Sequence, residues 1–179
     1  MSTEFPYPSG MTTDLPDELF LIHPDDSGGP ATPTLSFSRS PTVLLNFTAN
    51  RFTRSAARAY QDRFGIGAMD WRMLVMLARE PRSTAAHASR TIGIDKAAVS
   101  RALARLETKG LVAPADPDQG RLGREWVLTE SGIALHRQVL SEALNRQKAL
   151  LDGFTPEEVA QFTGFLTRCL GNLDKLSGD

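Results

Sequence analysis

Residues 94 to 112 read IDKAAVSRALARLETKGLV, and this stretch narrows the fold more than any other. Val99, Leu103 and Leu106 recur at helical spacing, which predicts a helix with one buried stripe. Asp95 is a good N-cap for it and Gly110 a good stop. Its outward positions are mostly small or basic: Lys96, Ala97, Ser100, Arg101, Ala104 and Arg105. Long acidic side chains form helices equally well. A face that prefers small and positive residues therefore points to something outside the helix.

The flanking sequence supplies a frame. Residues 1–42 hold seven of the eleven prolines and exclude a long helix. This Pro-rich extension reads either as a loose tail or as an arm that docks Phe20 and Ile22 on the body or on a partner subunit. From Val43 the chain turns helical, with Leu45, Ala49, Phe52, Ala56, Tyr60 and Phe64 on one side and Arg51, Arg54 and Arg58 on the other. Gly65 and Gly67 end that helix. A second spans Met69 to Glu80, stopped by Pro81. A third is capped by Ser83 or Thr84 and ends at Gly93. The helix of the opening stretch is the fourth.

After Gly110 the period changes. LVAPAD and REWVLT read as short strands around the turn-rich PDQGRLG. Helix returns from Glu130 to about Leu151, with Ile133, His136 and Leu140 assigned inward. TPEE opens a last helix, with Thr155 as N-cap and Pro156 in its first turn. There Val159, Phe162, Leu166, Cys169, Leu173 and Leu176 alternate at spacings of three and four, the pattern of a helix–helix seam. Helix, short link, basic helix and two-stranded hairpin make a winged helix-turn-helix. The fold class is mainly α with a small β-hairpin wing, joined to a helical dimerisation region. The predicted division is an extension over 1–42, a winged helix-turn-helix over 68–129, and dimerisation segments over 43–67 and 130–176.

This order explains the small, basic face. A helix entering a major groove about 12 Å wide cannot carry bulky or acidic outward residues, while Lys and Arg meet phosphates and guanine edges. The net charge of −1 alone says nothing of DNA, but its distribution does. Residues 82–124 hold eight basic and four acidic residues, whereas 1–42 hold one Arg and six acids.

MDWRMLVMLAREP, IDKAAVSRALARLETKGLV and WVLTESG together resemble the multiple antibiotic resistance regulator (MarR) family of bacterial transcription factors, over roughly residues 43–176. The resemblance implies a homodimer joined through the first and last helices, binding a pseudo-palindromic operator in double-stranded DNA. It also implies release by a small, often aromatic, anion bound between the dimerisation region and the winged helix. A family wing usually carries Asp-Arg-Arg; here Gly120, Arg121 and Leu122 stand in its place, and Arg124 is the candidate substitute for the second Arg.

The candidate DNA contacts follow. Lys96, Ala97, Ser100 and Arg101 are assigned to base edges or nearby phosphates, and Arg105 to the backbone. Arg121 is the wing-tip residue for a minor groove, supported by Arg124. The candidate effector residues are Arg51, Trp71, Arg72 and His136. Three of them have a plainer reading: Trp71 and His136 as core residues, and Arg51 as part of a solvated stripe. The candidate dimer seam is Val159, Phe162, Leu166, Cys169 and Leu173, with Cys169 read as a small buried hydrophobe.

Other classes find little support. Three scattered histidines and one cysteine give no metal spacing, and no phosphate loop or nucleophile motif is present, so neither an enzyme nor a cofactor is expected. The absence of a signal-like N-terminus and the single cysteine predict a reducing cytoplasm. A winged-helix protein that binds DNA without any effector is the alternative.

Overall fold

The computed structural model describes residues 15–23, 28, 30, 32–118, 120 and 123–176. Contacts divide the chain into two units, Met1–Ser55 and Ala56–Asp179. Helix α1, Pro41–Phe64, contributes the part up to Ser55 to one and the part from Ala56 to the other.

In the first unit the Pro-rich extension is not simply a loose tail. Strand β1 (Leu21–Ile22) pairs antiparallel with β2 (Thr34–Leu35), Leu21 opposite Leu35. Ser36 N–H donates to Phe20 O at 2.7 Å, and the Arg39 guanidinium donates to Leu21 O. Phe20 and Ile22 are half-buried within this unit. Phe37 packs edge-on against Phe47 of α1 at 5.2 Å between ring centroids. Leu45 and Ala49, on the apolar side expected of α1, are exposed.

The second unit is built on α2 (Ala68–Arg79), α3 (Ala85–Ile92) and α4 (Lys96–Thr108), followed by β4 (Val112–Pro114), β5 (Glu125–Leu128), α5 (Glu130–Leu150) and α6 (Pro156–Leu176). Met73, Leu74, Met76 and Leu77 of α2 meet Val99, Ala102, Leu103 and Leu106 of α4 in one core with Ala56 and Tyr60. Leu74, Val99 and Leu106 are fully buried, each contributing ~1.5–3 kcal/mol relative to exposure.

The caps lie where the sequence puts them. Thr84 Oγ1 accepts from His87 N–H at 3.1 Å to start α3. Gly93, with φ 70°, ends it in the left-handed region that favours glycine. Asp95 accepts from Ala98 N–H at 2.9 Å to start α4. Thr155 and Glu158 form a reciprocal capping box on α6.

The sheet is larger than the predicted hairpin. Strand β3 (Ser83–Thr84) joins it, giving the order β3-β5-β4, all antiparallel, with Ser83 opposite Trp126. Two residues are too short for a period to register, so this strand is invisible in the pattern. Arg82 leads into it at φ 65°, held by its N–H to Trp126 O at 3.0 Å and its guanidinium on Glu125 at 2.8 Å. Among the described residues no helix is long and apolar enough to cross a membrane.

The inward face of α5 differs from expectation by one register. Gly132 and Val139 are buried and Leu135, His136 and Ala143 half-buried, while Ile133 and Leu140 are exposed. The reason lies at Gly132, where a Cβ would sit 1.9 Å from Leu111 O. The helix lies against the Leu111 backbone at its one residue without a side chain, and that contact sets its rotation. Thr129 fixes the junction, accepting from Gly132 N–H at 3.0 Å and donating to Gly110 O at 2.7 Å.

Candidate nucleic-acid interface

The face of α4 opposite its core stripe holds Lys96, Ala97, Ser100, Arg101 and Ala104, all exposed. Lys96 and Arg101 carry no ion pair among the described residues. The helix is thus held by four apolar side chains on one side and presents two cations and three small residues on the other.

Arg105 has a different environment. Its Nη2 and Nε lie 2.6 and 3.1 Å from Asp70 Oδ1, and the Asp70 side chain is only 4 % exposed. The other carboxylate oxygen accepts from Gly67 N–H at 3.1 Å and caps α2. Arg105, assigned to the DNA backbone from the sequence, is thus paired with Asp70 while its side chain stays half exposed. Asp70 escaped the sequence reading because nothing in the linear pattern pairs it with a residue 35 positions away.

Arg124 is likewise engaged. Its Nη1 is 3.7 Å from Glu107 Oε1 on α4, and its guanidinium carbon is 5.6 Å from the centroid of the Trp126 ring. Arg121 lies outside the described residues.

At the other end of α4's support, His87 Nε2 is 2.6 Å from Glu80 Oε2, linking α3 to the end of α2. This hydrogen bond is the main reason the Glu80 carboxyl is held below its ordinary value.

The residues assigned to an effector separate into two places. Trp71 stacks on His136 at 5.2 Å and 25°, and Tyr60 lies 6.0 Å from Trp71. Burial, helped by Arg137, pushes the His136 pKa down, and burial raises that of Tyr60. Trp71 and Arg72 also line an open cleft of 320 Å³ between α2 and α3, floored by Val75, Met76 and Ile92. Arg51 belongs to the first unit and is exposed there.

Helix α6 has no buried residue among those described. Val159 and Leu166 are half-buried; Phe162, Phe165, Leu170 and Leu173 are 42 to 66 % exposed. Cys169, expected to be buried, is exposed in the single chain.

Residues 64–122 match the MarR family. Over that span the chain resembles the winged helix of the MarR family. A MarR/EmrR family regulator from Acinetobacter sp. ADP1 is 29% identical, covering 79% of this chain and 99% of its own, with a TM-score of 0.72. MepR from S. aureus, solved as a DNA complex, is 22% identical over 77% of this chain and 99% of its own, with a TM-score of 0.64. The oxidized form of MarR from E. coli is 22% identical over 73% of this chain and 94% of its own, at 0.60. The fold is that of a MarR-family transcription regulator, and the departure from the family's usual wing sequence leaves the β4–β5 ladder intact, with Ala113 opposite Val127.

Proposed function

We propose that the protein is a homodimeric repressor that binds a pseudo-palindromic operator through α4 and is released by a small aromatic acid or its thioester. One observation carries the DNA reading: on α4, Lys96 and Arg101 stand exposed among small residues with no ion pair among the described residues, while Arg105 is bound to Asp70. Such a face suits a major groove, with Arg101 at base edges and Lys96 at a base edge or phosphate. Arg121 is proposed for a flanking minor groove. That MepR was solved with DNA supports the assignment by analogy of fold.

Dimerisation is supported by the α6 stripe of Val159, Phe162, Leu166, Cys169 and Leu173, half-buried or exposed in the single chain and too apolar to face water as a continuous seam. The effector reading is supported by the cleft beside Trp71 and Arg72, whose 320 Å³ falls in the range of small-molecule sites. An apolar floor with a guanidinium at its rim suits a ring bearing a carboxylate. Constitutive DNA binding is the second reading, favoured by the Trp71–His136 stack, in which each ring already occupies the other's face.

The test is fluorescence anisotropy on duplexes from the region flanking the protein's own gene, with and without a panel of aromatic acids selected by thermal shift. Salt-sensitive binding that a stabilising acid weakens supports the full proposal. Hits that stabilise the protein and leave DNA affinity unchanged favour constitutive binding. Failure to bind any duplex contradicts both.

A further inference from the structure

The cleft between α4 and the wing is lined by Ser100, Leu103 and Ala104 on the helix side and by Arg124 and Trp126 on the sheet side. It measures 390 Å³. Trp126 and Leu103 belong to the common apolar core, while the outer part of the cleft stays open. What spans the gap is Arg124, with its guanidinium 5.6 Å from the Trp126 ring and Nη1 3.7 Å from Glu107 near the last turn of α4. Trp126 itself is 8 % exposed and is fixed in the sheet opposite Ser83 and Pro114. Glu107 is fixed by the helix whose neighbour, Leu106, is fully buried.

We propose that Arg124 is a positioning residue that sets the angle of the wing against α4, and that it does not contact DNA. A guanidinium suits this task because its long, rigid head can lie near an indole ring and approach a carboxylate at the same time. Its side chain is 23 % exposed against 51 % for Arg105, and Glu107 offsets its charge. The strand leaving it continues the ladder: Ala115 N–H donates to Glu125 O at 2.9 Å, next to Arg124 in sequence and on the wing side of the sheet. If Arg124 sets the wing, this hydrogen bond is the first to feel its loss. The consequence for DNA rests on the function proposed above; the wing geometry does not.

The experiment has two arms. In the free protein, hydrogen exchange at Ala115 and Val127 is compared between wild type, Arg124→Ala and Arg124→Lys. The proposal expects roughly tenfold faster exchange at Ala115 in Arg124→Ala, with the α2–α4 core unchanged and no rescue by Lys, which keeps the charge but not the broad guanidinium that reaches both Trp126 and Glu107. Unchanged exchange at Ala115 overturns it. In the second arm, affinity for a duplex is measured against salt. A positioning residue lowers affinity but leaves the slope of log K on log[salt] as in wild type. A phosphate contact makes the slope shallower by about 0.9 and is largely kept by Lys, which also overturns the proposal. Should Arg124→Ala fail to fold, Glu107→Gln serves. Faster Ala115 exchange then supports the proposal, while tighter DNA binding with unchanged exchange contradicts it. A protein that binds no duplex defeats the proposed function, and the exchange arm still decides the role of Arg124.

Discussion

Arg105 and Asp70 meet at 2.6 Å, joining the C-terminal half of α4 to the first turn of α2 through a carboxylate whose second oxygen caps that helix. Removing the arginine leaves a nearly buried anion whose remaining partner among the described residues is the Gly67 N–H. Arg105→Ala is expected to destabilise the winged helix by about 2 kcal/mol, below the full cost of breaking a buried pair because the arginine is half exposed. Urea unfolding measures it. A variant as stable as wild type, with a shallower salt slope for DNA, would return Arg105 to the phosphate role its sequence position suggests.

Gly132 tolerates no side chain. A Cβ there would meet Leu111 O at 1.9 Å, and that oxygen also accepts from Thr129 N–H at 3.1 Å. Gly132→Ala, ordinarily favourable in a helix by ~1 kcal/mol, is expected instead to cost about 3 kcal/mol or more through displacement of α5. Thermal melting decides it; a raised Tm would show that α5 can rotate away at no cost.

The His136 pKa is depressed, first by burial and then by Arg137. The neutral ring is therefore favoured in the folded state. Its contribution is fully present above the ordinary value of 6.5 and is lost as pH falls from there through the depressed folded value. Melting temperature should drop from pH 7.5 to pH 5, and His136→Phe, which keeps a ring against Trp71, should flatten that drop. The lowered Glu80 pKa acts in a separate window, below its ordinary 4.5. An identical pH profile in the His136 variant would remove this group as the cause.

Helix α6 gives the oligomer prediction. Leu166→Asp places a charge in the middle of the apolar stripe and should convert a dimer to monomer, at a cost of several kcal/mol to the assembly. Light scattering reads the mass. A wild-type protein that is monomeric at micromolar concentration and still binds DNA tightly would contradict the dimer.

What was legible in the sequence was what short-range chemistry determines. The caps at Thr84, Asp95 and Thr155, the stripe of Val99, Leu103 and Leu106, and the hairpin all follow from neighbours within a few residues. What escaped depends on distant partners. Strand β3 exists only because Trp126 is there to pair with Ser83. The rotation of α5 is set by the Leu111 carbonyl, not by its own apolar pattern. The site shows the same split. The outward face of α4 was readable, but the pairing of Arg105 with Asp70 and of Arg124 with Glu107 joins residues far apart in sequence. Arg121 lies outside the described residues, so its wing-tip role stands on sequence alone.

The central claim is that α4 reads DNA through Arg101 and its small neighbours. The most direct measurement is selection of bound duplexes from a random pool, followed by affinity titration of the enriched sequence with wild type and Arg101→Ala. The account predicts an enriched pseudo-palindrome with half-site centres about one helical turn apart, ~34 Å. It also predicts that Arg101→Ala loses ~1–3 kcal/mol on that duplex and relaxes preference at one base pair in each half-site. A pool that stays random, or an Arg101 variant with unchanged affinity and preference, would contradict it.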